Sequence, residues 1–332
     1  MTNPVLIEVT RGPLVECVHR GTLAVATAAG ERLVELGDVT RPAYPRSAIK
    51  VFQALPLVET GAADAFGYRE THLALAAASH AGTERHVKIA REMLSLAKVD
   101  EELLACGVHP PLDDAAARAL WAAGQRPGTL HHNCSGKHAG MLATARHMRE
   151  DVDEYWNLAH PVQRRIQSAI EDVAGIALTE GACGIDGCSV PNWAMPVTSL
   201  AVALARLATG TGISPSRKAA ANRIFSAAWA EPELSAGIGR LDTRVLSAFK
   251  GEAYIKTGAE GAYAGVFPHL GIGFAMKIDD GAIRASDAVA RLVVEAYLPA
   301  ARGTLAMKTL KNAQGKDVGV IRPSALLALA LS

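Results

Sequence analysis

Pro45-Arg46-Ser47-Ala48-Ile49-Lys50-Val51-Phe52-Gln53 is where the chain changes period. Upstream, residues 4–37 alternate apolar and polar positions, with turn signals at Arg11-Gly12, Arg20-Gly21 and Ala29-Gly30. They read as three or four antiparallel strands joined by hairpins. Beyond Pro42 and Pro45, the residues Val51, Ala54, Leu55 and Val58 continue from Ser47 at helical spacing until Gly61 stops them. Ser47 and Lys50 then share one face of a first helical turn, the geometry of a serine nucleophile with a lysine base.

Working outward, helical patterns dominate to about residue 230, at roughly 69–78, 83–97, 113–123, 136–149, 160–174, 197–208 and 214–229. Loop-rich pieces interrupt them around Asn133 and at 181–192. Strand-like alternation returns at 251–257, 262–268 and 271–278, where Asp279-Asp280-Gly281 reads as a turn closing a hairpin. A helix near 285–301 precedes a weakly patterned tail. Strands segregated at both ends predict a mixed α/β chain of the α+β kind, with one antiparallel sheet assembled from the two termini and a helical lobe inserted. The expectation is a single catalytic domain over 1–332, with 1–45 plus 250–332 as the sheet lobe and 46–249 as the mainly helical lobe.

Composition narrows the function. Lys plus Arg (34) nearly balances Asp plus Glu (33), so there is no basic surplus to neutralise phosphates. Nucleic acid and anionic membrane are poor candidates as partners. No apolar run reaches the roughly 18 residues a membrane helix needs, and the N-terminus lacks the basic-then-apolar pattern of a secretory signal. A cytoplasmic protein is expected. The 5 cysteines, at positions 17, 106, 134, 183 and 188, are an odd count in a long chain and favour thiols or a metal site over a disulfide framework.

A Ser-x-x-Lys hydrolase needs more than the pair: a second hydroxyl from the helical lobe, and Lys-Thr-Gly on a strand. Ser79 follows an apolar helix, and Lys256-Thr257-Gly258 stands in the returning strand pattern. Lys50 acts as a base only where burial or a nearby cation, such as Lys256, lowers its pKa from about 10.4. Ser79 is placed to relay protons to a leaving group. Gly258 admits close backbone approach, and the amides of Ser47 and Ala259 are candidates for an oxyanion hole. Against these stand plainer roles: Ser47 as a helix N-cap, Ser79 as a helix-end hydroxyl, Lys256 as an edge-strand lysine.

A second constellation is His131-His132-Asn133-Cys134-Ser135-Gly136-Lys137-His138, which opens a helix with Cys134, Lys137 and His138 about one turn apart. Downstream, Cys183-Gly-Ile-Asp186-Gly-Cys188 is a tight loop with two thiols and a carboxylate. Thiolate and imidazole suit zinc, and spacing alone nominates Cys134, His138 and Cys188; buried cysteines that merely pack are the alternative.

Taken together, Arg-Ser-x-x-Lys at 46–50, Ala-Ser-His at 78–80, Glu84-Arg85-His86, Asn-Cys-Ser-Gly-Lys-His at 133–138, Asp-Gly-Cys at 186–188 and Lys-Thr-Gly-Ala-Glu-Gly at 256–261 resemble the bacterial, rhizobial-type L-asparaginase family. The match runs from about residue 5 to about 320; Asn-Cys-Ser-Gly-Lys-His is its most distinctive block. The resemblance implies a fold similar to serine β-lactamases and penicillin-binding proteins, a homodimer, and hydrolysis of L-asparagine to L-aspartate and ammonia. It implies two Ser-Lys tandems, Ser47 with Lys50 and Ser79 with Lys256. It also implies zinc on Cys134, Lys137 and Cys188, replacing His138 by a lysine that a metal must strip of its proton. Arg46, His80, Asp186, Gly258 and Ala259 become the expected substrate contacts. The tail Lys311-Asn-Ala-Gln-Gly-Lys316 matches poorly. Rival readings keep the fold and change the substrate to a β-lactam, a D-alanyl peptide or glutamine, although His80 follows Ser79 where β-lactam enzymes usually show Ser-x-Asn. A zinc-dependent sensor with structural serines is the non-enzymatic rival.

Overall fold

A computed structural model describes residues 2–305 and 309–332. Strand β1 (Val5–Arg11) turns at Gly12 into β2 (Leu14–Thr27), and β3 (Arg32–Leu36) pairs back on β2. The sequence places a hairpin at Arg20-Gly21, yet β2 runs unbroken through it. A Cβ on Gly21 would strike the carbonyl of Lys277, so close approach of backbones, not a turn, demands this glycine. After β4 (Pro42–Ala43), a 3-10 turn at Arg46–Ile49 runs directly into helix α1 (Lys50–Glu59).

Six helices follow: α2 (Ala62–Ala65), α3 (Glu70–Ala76), α4 (Glu84–Ala97), α5 (Asp114–Ala122), α6 (Ser135–Met148) and α7 (Pro161–Ala174). Next come the hairpin β5 (Cys183–Ile185) and β6 (Pro191–Trp193), the short strand β7 (Met195–Pro196) and α8 (Val197–Thr209). Helices α9 (Pro215–Ala230), α10 (Pro232–Ser235) and α11 (Leu241–Ala248) lead to strands β8 (Tyr254–Thr257), β9 (Ala262–Phe267) and β10 (Ile272–Ile278). The chain closes with α12 (Ile283–Tyr297), β11 (Thr309–Lys311), β12 (Asp317–Pro323) and α13 (Ala325–Ala330). Local chemistry sets several ends: the Ser214 hydroxyl accepts the Arg217 N–H with Pro215 in the first turn of α9, and Gly175, at φ 68°, ends α7.

The chain divides into two compact units. One comprises Met1–Ala48, Ala194–Thr209 and Ile255–Ser332; the other comprises Ile49–Trp193 and Gly210–Tyr254. The first holds an eight-stranded sheet in the order β11-β12-β1-β2-β10-β9-β8, with β3 also on β2. It is the expected sheet built from both termini. Helix α8 belongs to this unit, a return that reading 46–249 as one helical block does not anticipate. Every residue of β9 is buried, which requires cover on both faces, and α8 and α12 are the helices packed on it. The α8 contact is close: a Cβ on Gly273 would strike the Ala201 carbonyl and stand 3.1 Å from the Ala205 nitrogen. Gly273→Ala is therefore expected to cost about 1–3 kcal/mol, read as a lowered urea midpoint; an unchanged midpoint would show that the helix yields freely.

The second unit is helical and centres on α1, which is buried from Lys50 to Val58 and packed by α6, α7 and α9. A helix covered on every side is the core element of its unit.

Two readings are corrected at the C-terminal end. Asp279-Asp280-Gly281 closes no hairpin; it turns β10 into α12. The weakly patterned tail supplies β11 and β12, and β12 pairs with β1 through Ile7↔Pro323 and Val9↔Ile321. Its partner lies at the far end of the chain, which no local period reports.

Candidate active site

In the sheet unit, Ser47 sits half-buried in the 3-10 turn after β4. Arg46 before it has φ 52°, in the left-handed region where an arginine is strained. Lys256 lies near the end of the edge strand β8 and is 2% exposed, with its Nζ donating to the Thr257 carbonyl at 3.1 Å. That burial is unlike an ordinary edge-strand lysine. Gly258 joins these parts. A Cβ there would stand 2.5 Å from the Pro45 carbonyl oxygen and 3.3 Å from the Ala48 nitrogen, so the Lys-Thr-Gly strand end lies against the backbone that carries Ser47. The Pro45 carbonyl is by itself a reason for glycine at this position. Ala259 is exposed in the tight turn after it, closed by Gly258 N–H to Ala262 O at 2.8 Å.

In the helical unit, Lys50 opens α1 and is completely buried. Its Nζ donates to Ala78 O at 2.5 Å, to Asn133 O at 3.2 Å and to Ser79 Oγ at 3.4 Å. Ser79 lies in an extended segment after α3, held by Ser79 N–H to Ser235 O at 3.3 Å and His80 N–H to Asn133 O at 3.2 Å. The signature glycine explains how α6 reaches this segment: a Cβ on Gly136 would lie 2.5 Å from both Leu75 Cγ and Leu75 O. Only glycine lets the first turn of α6 approach the end of α3 that closely.

His80 is placed differently from a substrate contact. It is fully buried and stacked on His86 with centroids 4.9 Å apart. Its Nδ1 accepts the Gly82 N–H at 3.2 Å, so the ring proton belongs on Nε2, which donates to Ser135 Oγ at 2.9 Å; that hydroxyl donates onward to Leu130 O at 3.0 Å. Burial, with the neighbouring His86 and Lys50, holds its pKa well below the ordinary histidine value. Both nitrogens of a neutral ring are committed to holding the chain in place.

Two sulfurs and an amine meet in the same unit. Lys137 Nζ donates to Cys188 Sγ at 3.1 Å, and Cys134 is hydrogen-bonded to Cys188. All three are buried. Cys134 is held well below the usual thiol range, first by the Cys188 hydrogen bond, which outweighs burial, and then by the fields of Lys50 and Lys137. Cys188 is pushed up, first by the same bond and then by burial. Their mutual hydrogen bond thus moves the two thiols in opposite directions. Burial opposes the Lys137 charge, yet Cys188, Cys134 and Asp186 outweigh it and raise its pKa. Asp186, in the loop between β5 and β6, accepts from Gly187 N–H at 2.7 Å and Asn192 Nδ2 at 3.2 Å.

His138, nominated by spacing, turns elsewhere: its Nδ1 is 2.5 Å from the Tyr155 hydroxyl. Among the described residues no three His, Cys, Asp or Glu side chains meet as a metal site; the group beside the two sulfurs is the Lys137 amine. Two sulfurs and one amine, enclosed and hydrogen-bonded to one another, fit a thiophilic cation such as zinc once Lys137 gives up its proton.

The structure brings Arg46, Ser47, Lys256, Gly258 and Ala259 together in one unit, and Lys50, Ser79 and His80 together in the other, which also holds Cys134, Lys137, Asp186 and Cys188. One residue quoted only as part of a motif proves central. Asn133 receives Lys50 and His80 on its carbonyl and places its side chain between Ser79 and Cys134.

Among solved structures, the chain is similar to a protein called Mglu in its native form (19% identity over 83% of this chain and 63% of that one, TM-score 0.38). The tris and glutamate form of Mglu gives 19% identity over 83% and 58%, TM-score 0.38. A β-lactamase from Mycobacterium bovis gives 14% identity over 83% and 94%, TM-score 0.27. The chain thus spans less than two thirds of the length of Mglu. No curated protein matches it. Among the described residues no helix is long and apolar enough to cross a membrane. The model of the L-asparaginase II family matches residues 7–323, nearly the whole sequence, and the chain belongs to that family.

Proposed function

We propose that the chain is an L-asparaginase that releases ammonia from the side chain of L-asparagine through a serine acyl-enzyme. Family membership supports the substrate. The observation that carries the mechanism is the setting of Lys50. Two of its three partners are carbonyl oxygens, which only accept, so a deprotonated Nζ spends its two N–H groups on them and turns its lone pair to Ser79 Oγ. The amine therefore exchanges its proton through a hydroxyl.

Ser47 Oγ attacks the amide carbon and a C–O bond forms, while its proton passes to Lys50. Backbone amides hold the oxyanion. The C–N bond then breaks as the departing nitrogen takes a proton through Ser79, and ammonia leaves. Water adds to the ester, the Ser47–carbon bond breaks, and aspartate is released with Ser47 reprotonated. Lys256 contributes a fixed cation near Ser47. Cys134, Lys137 and Cys188 hold zinc, and Asp186 lies beside them to meet the substrate's α-amino group. A zinc ion held there supplies positive charge for binding the substrate's polar groups. A homodimer belongs to the same reading, checked by a solution mass of twice 34.8 kDa.

The test is direct. The purified protein given L-asparagine should release ammonia and aspartate in equal amounts, contain one zinc per chain, and lose that zinc in Cys188→Ser. Rapid covalent labelling of Ser47 by penicillin with no ammonia release would hand the fold to a β-lactam chemistry; zinc and tight asparagine binding without turnover would make it a sensor.

A further inference from the structure

Asn133 touches Lys50, Ser79 and Cys134, three of the groups in the helical unit to which the preceding reading gives chemistry. Its main-chain oxygen accepts Lys50 Nζ at 3.2 Å and the His80 N–H at 3.2 Å. One end of its side-chain amide lies 3.4 Å from Ser79 Oγ and the other 3.4 Å from Cys134 Sγ. The residue stands at the turn into α6, so its backbone is fixed by the same first turn that Gly136 presses against Leu75.

From this geometry we infer that Asn133 is a positioning residue that couples the orientation of Ser79 to the Cys134-Lys137-Cys188 cluster. The inference rests on the reading of that cluster as a zinc site and of Ser79 as a proton relay. An amide offers one donor end and one acceptor end, and it turns end for end without moving its other atoms. If the NH2 faces Ser79, the oxygen faces the sulfur; if the oxygen faces Ser79, the NH2 faces the sulfur. Either way the two contacts are complementary. The amide is held between Cys134 Sγ and Ser79 Oγ, so a shift of the sulfur turns or moves the end that meets the hydroxyl. The same hydroxyl lies 3.4 Å from Lys50 Nζ. One residue thus bonds both the hydroxyl and the cluster, which is why a single substitution should disturb both.

Coupling of this kind is reciprocal, so it is read from two sides. In Asn133→Ala, kcat for ammonia release should fall about 10- to 100-fold while KM for asparagine stays within about 3-fold. Zinc affinity, measured without substrate by competition with a chromogenic chelator, should weaken about 10-fold, the scale of outer-sphere partners of metal ligands. The melting temperature should stay within a few degrees, which a purely structural role would not allow alongside those losses. Asn133→Asp, equal in size but with two acceptors, serves if the alanine variant fails to fold, and the same paired losses are expected. A fall in kcat with unchanged zinc affinity, or the reverse, overturns the coupling, as does no change in either. Wild-type protein that binds no zinc also overturns it. Wild-type protein that binds zinc but releases no ammonia sinks the asparaginase reading instead, and the zinc arm still decides the Asn133–Cys134 contact.

Discussion

Ammonia release from L-asparagine is expected to fall by about 10³-fold or more in Ser47→Ala, with the fold intact. A nucleophile removed from a covalent mechanism leaves only binding and electrostatic stabilisation, so the loss is among the largest a single side chain produces. Stability should change little, because Ser47 is half-buried in a short 3-10 turn and the neighbouring contact belongs to backbone: Gly258 packs on the Pro45 carbonyl and the Ala48 nitrogen, and neither depends on the Ser47 side chain. Steady-state kinetics with thermal melting checks both halves. Retention of the wild-type rate would return Ser47 to the plainer role of capping a helix.

Lys50→Met is expected to be nearly as damaging to the reaction and worse for the molecule. Loss of a general base costs about 10²–10⁴-fold in rate. Methionine fills the space of the buried stem, but it donates nothing to Ala78 O and Asn133 O, which Lys50 Nζ now satisfies at 2.5 and 3.2 Å. Leaving a buried acceptor without a partner costs about 1–3 kcal/mol. The variant should therefore melt lower than Ser47→Ala while also losing activity. Comparing the two separates a residue needed only for chemistry from one that also braces the Ala78-Ser79 segment. Activity within about 3-fold of wild type in Lys50→Met would remove Lys50 from the mechanism.

Much of the scaffold was legible. The change from a two-residue to a helical period at 45–53 located the entry into α1, and six of the seven helices expected between 69 and 229 fall within about a residue of α4 to α9, while α3 is shorter than expected, because apolar spacing and caps such as Ser214 with Pro215 are local signals. Where the same residue type serves two purposes, the sequence misleads. Gly21 looks like a turn and is a place where two strands approach closely; Asp279-Asp280-Gly281 looks like a hairpin and starts a helix. Helix α11 and the strands β11 and β12 were not anticipated; the partner of β12 is β1, at the far end of the chain.

What the sequence determined by itself is the inventory: a serine three residues ahead of a lysine, a second serine after an alanine-rich helix, a Lys-Thr-Gly strand end, and two cysteines with a lysine near a glycine-rich loop. Periodicity and motif order carry that much, because they depend on neighbours along the chain. Only the tertiary structure decided where each group turns. It set Lys50 against Ser79, aimed Lys137 at Cys188 while His138 went to Tyr155, closed the ring of His80 on Ser135 and Gly82, and put Asn133 between hydroxyl and sulfur. The reason is physical. On a helix buried on every side, such as the first turns of α6, adjacent residues are equally enclosed, so local pattern cannot say which donor faces which acceptor; that is settled by the few partners that packing brings within hydrogen-bond distance.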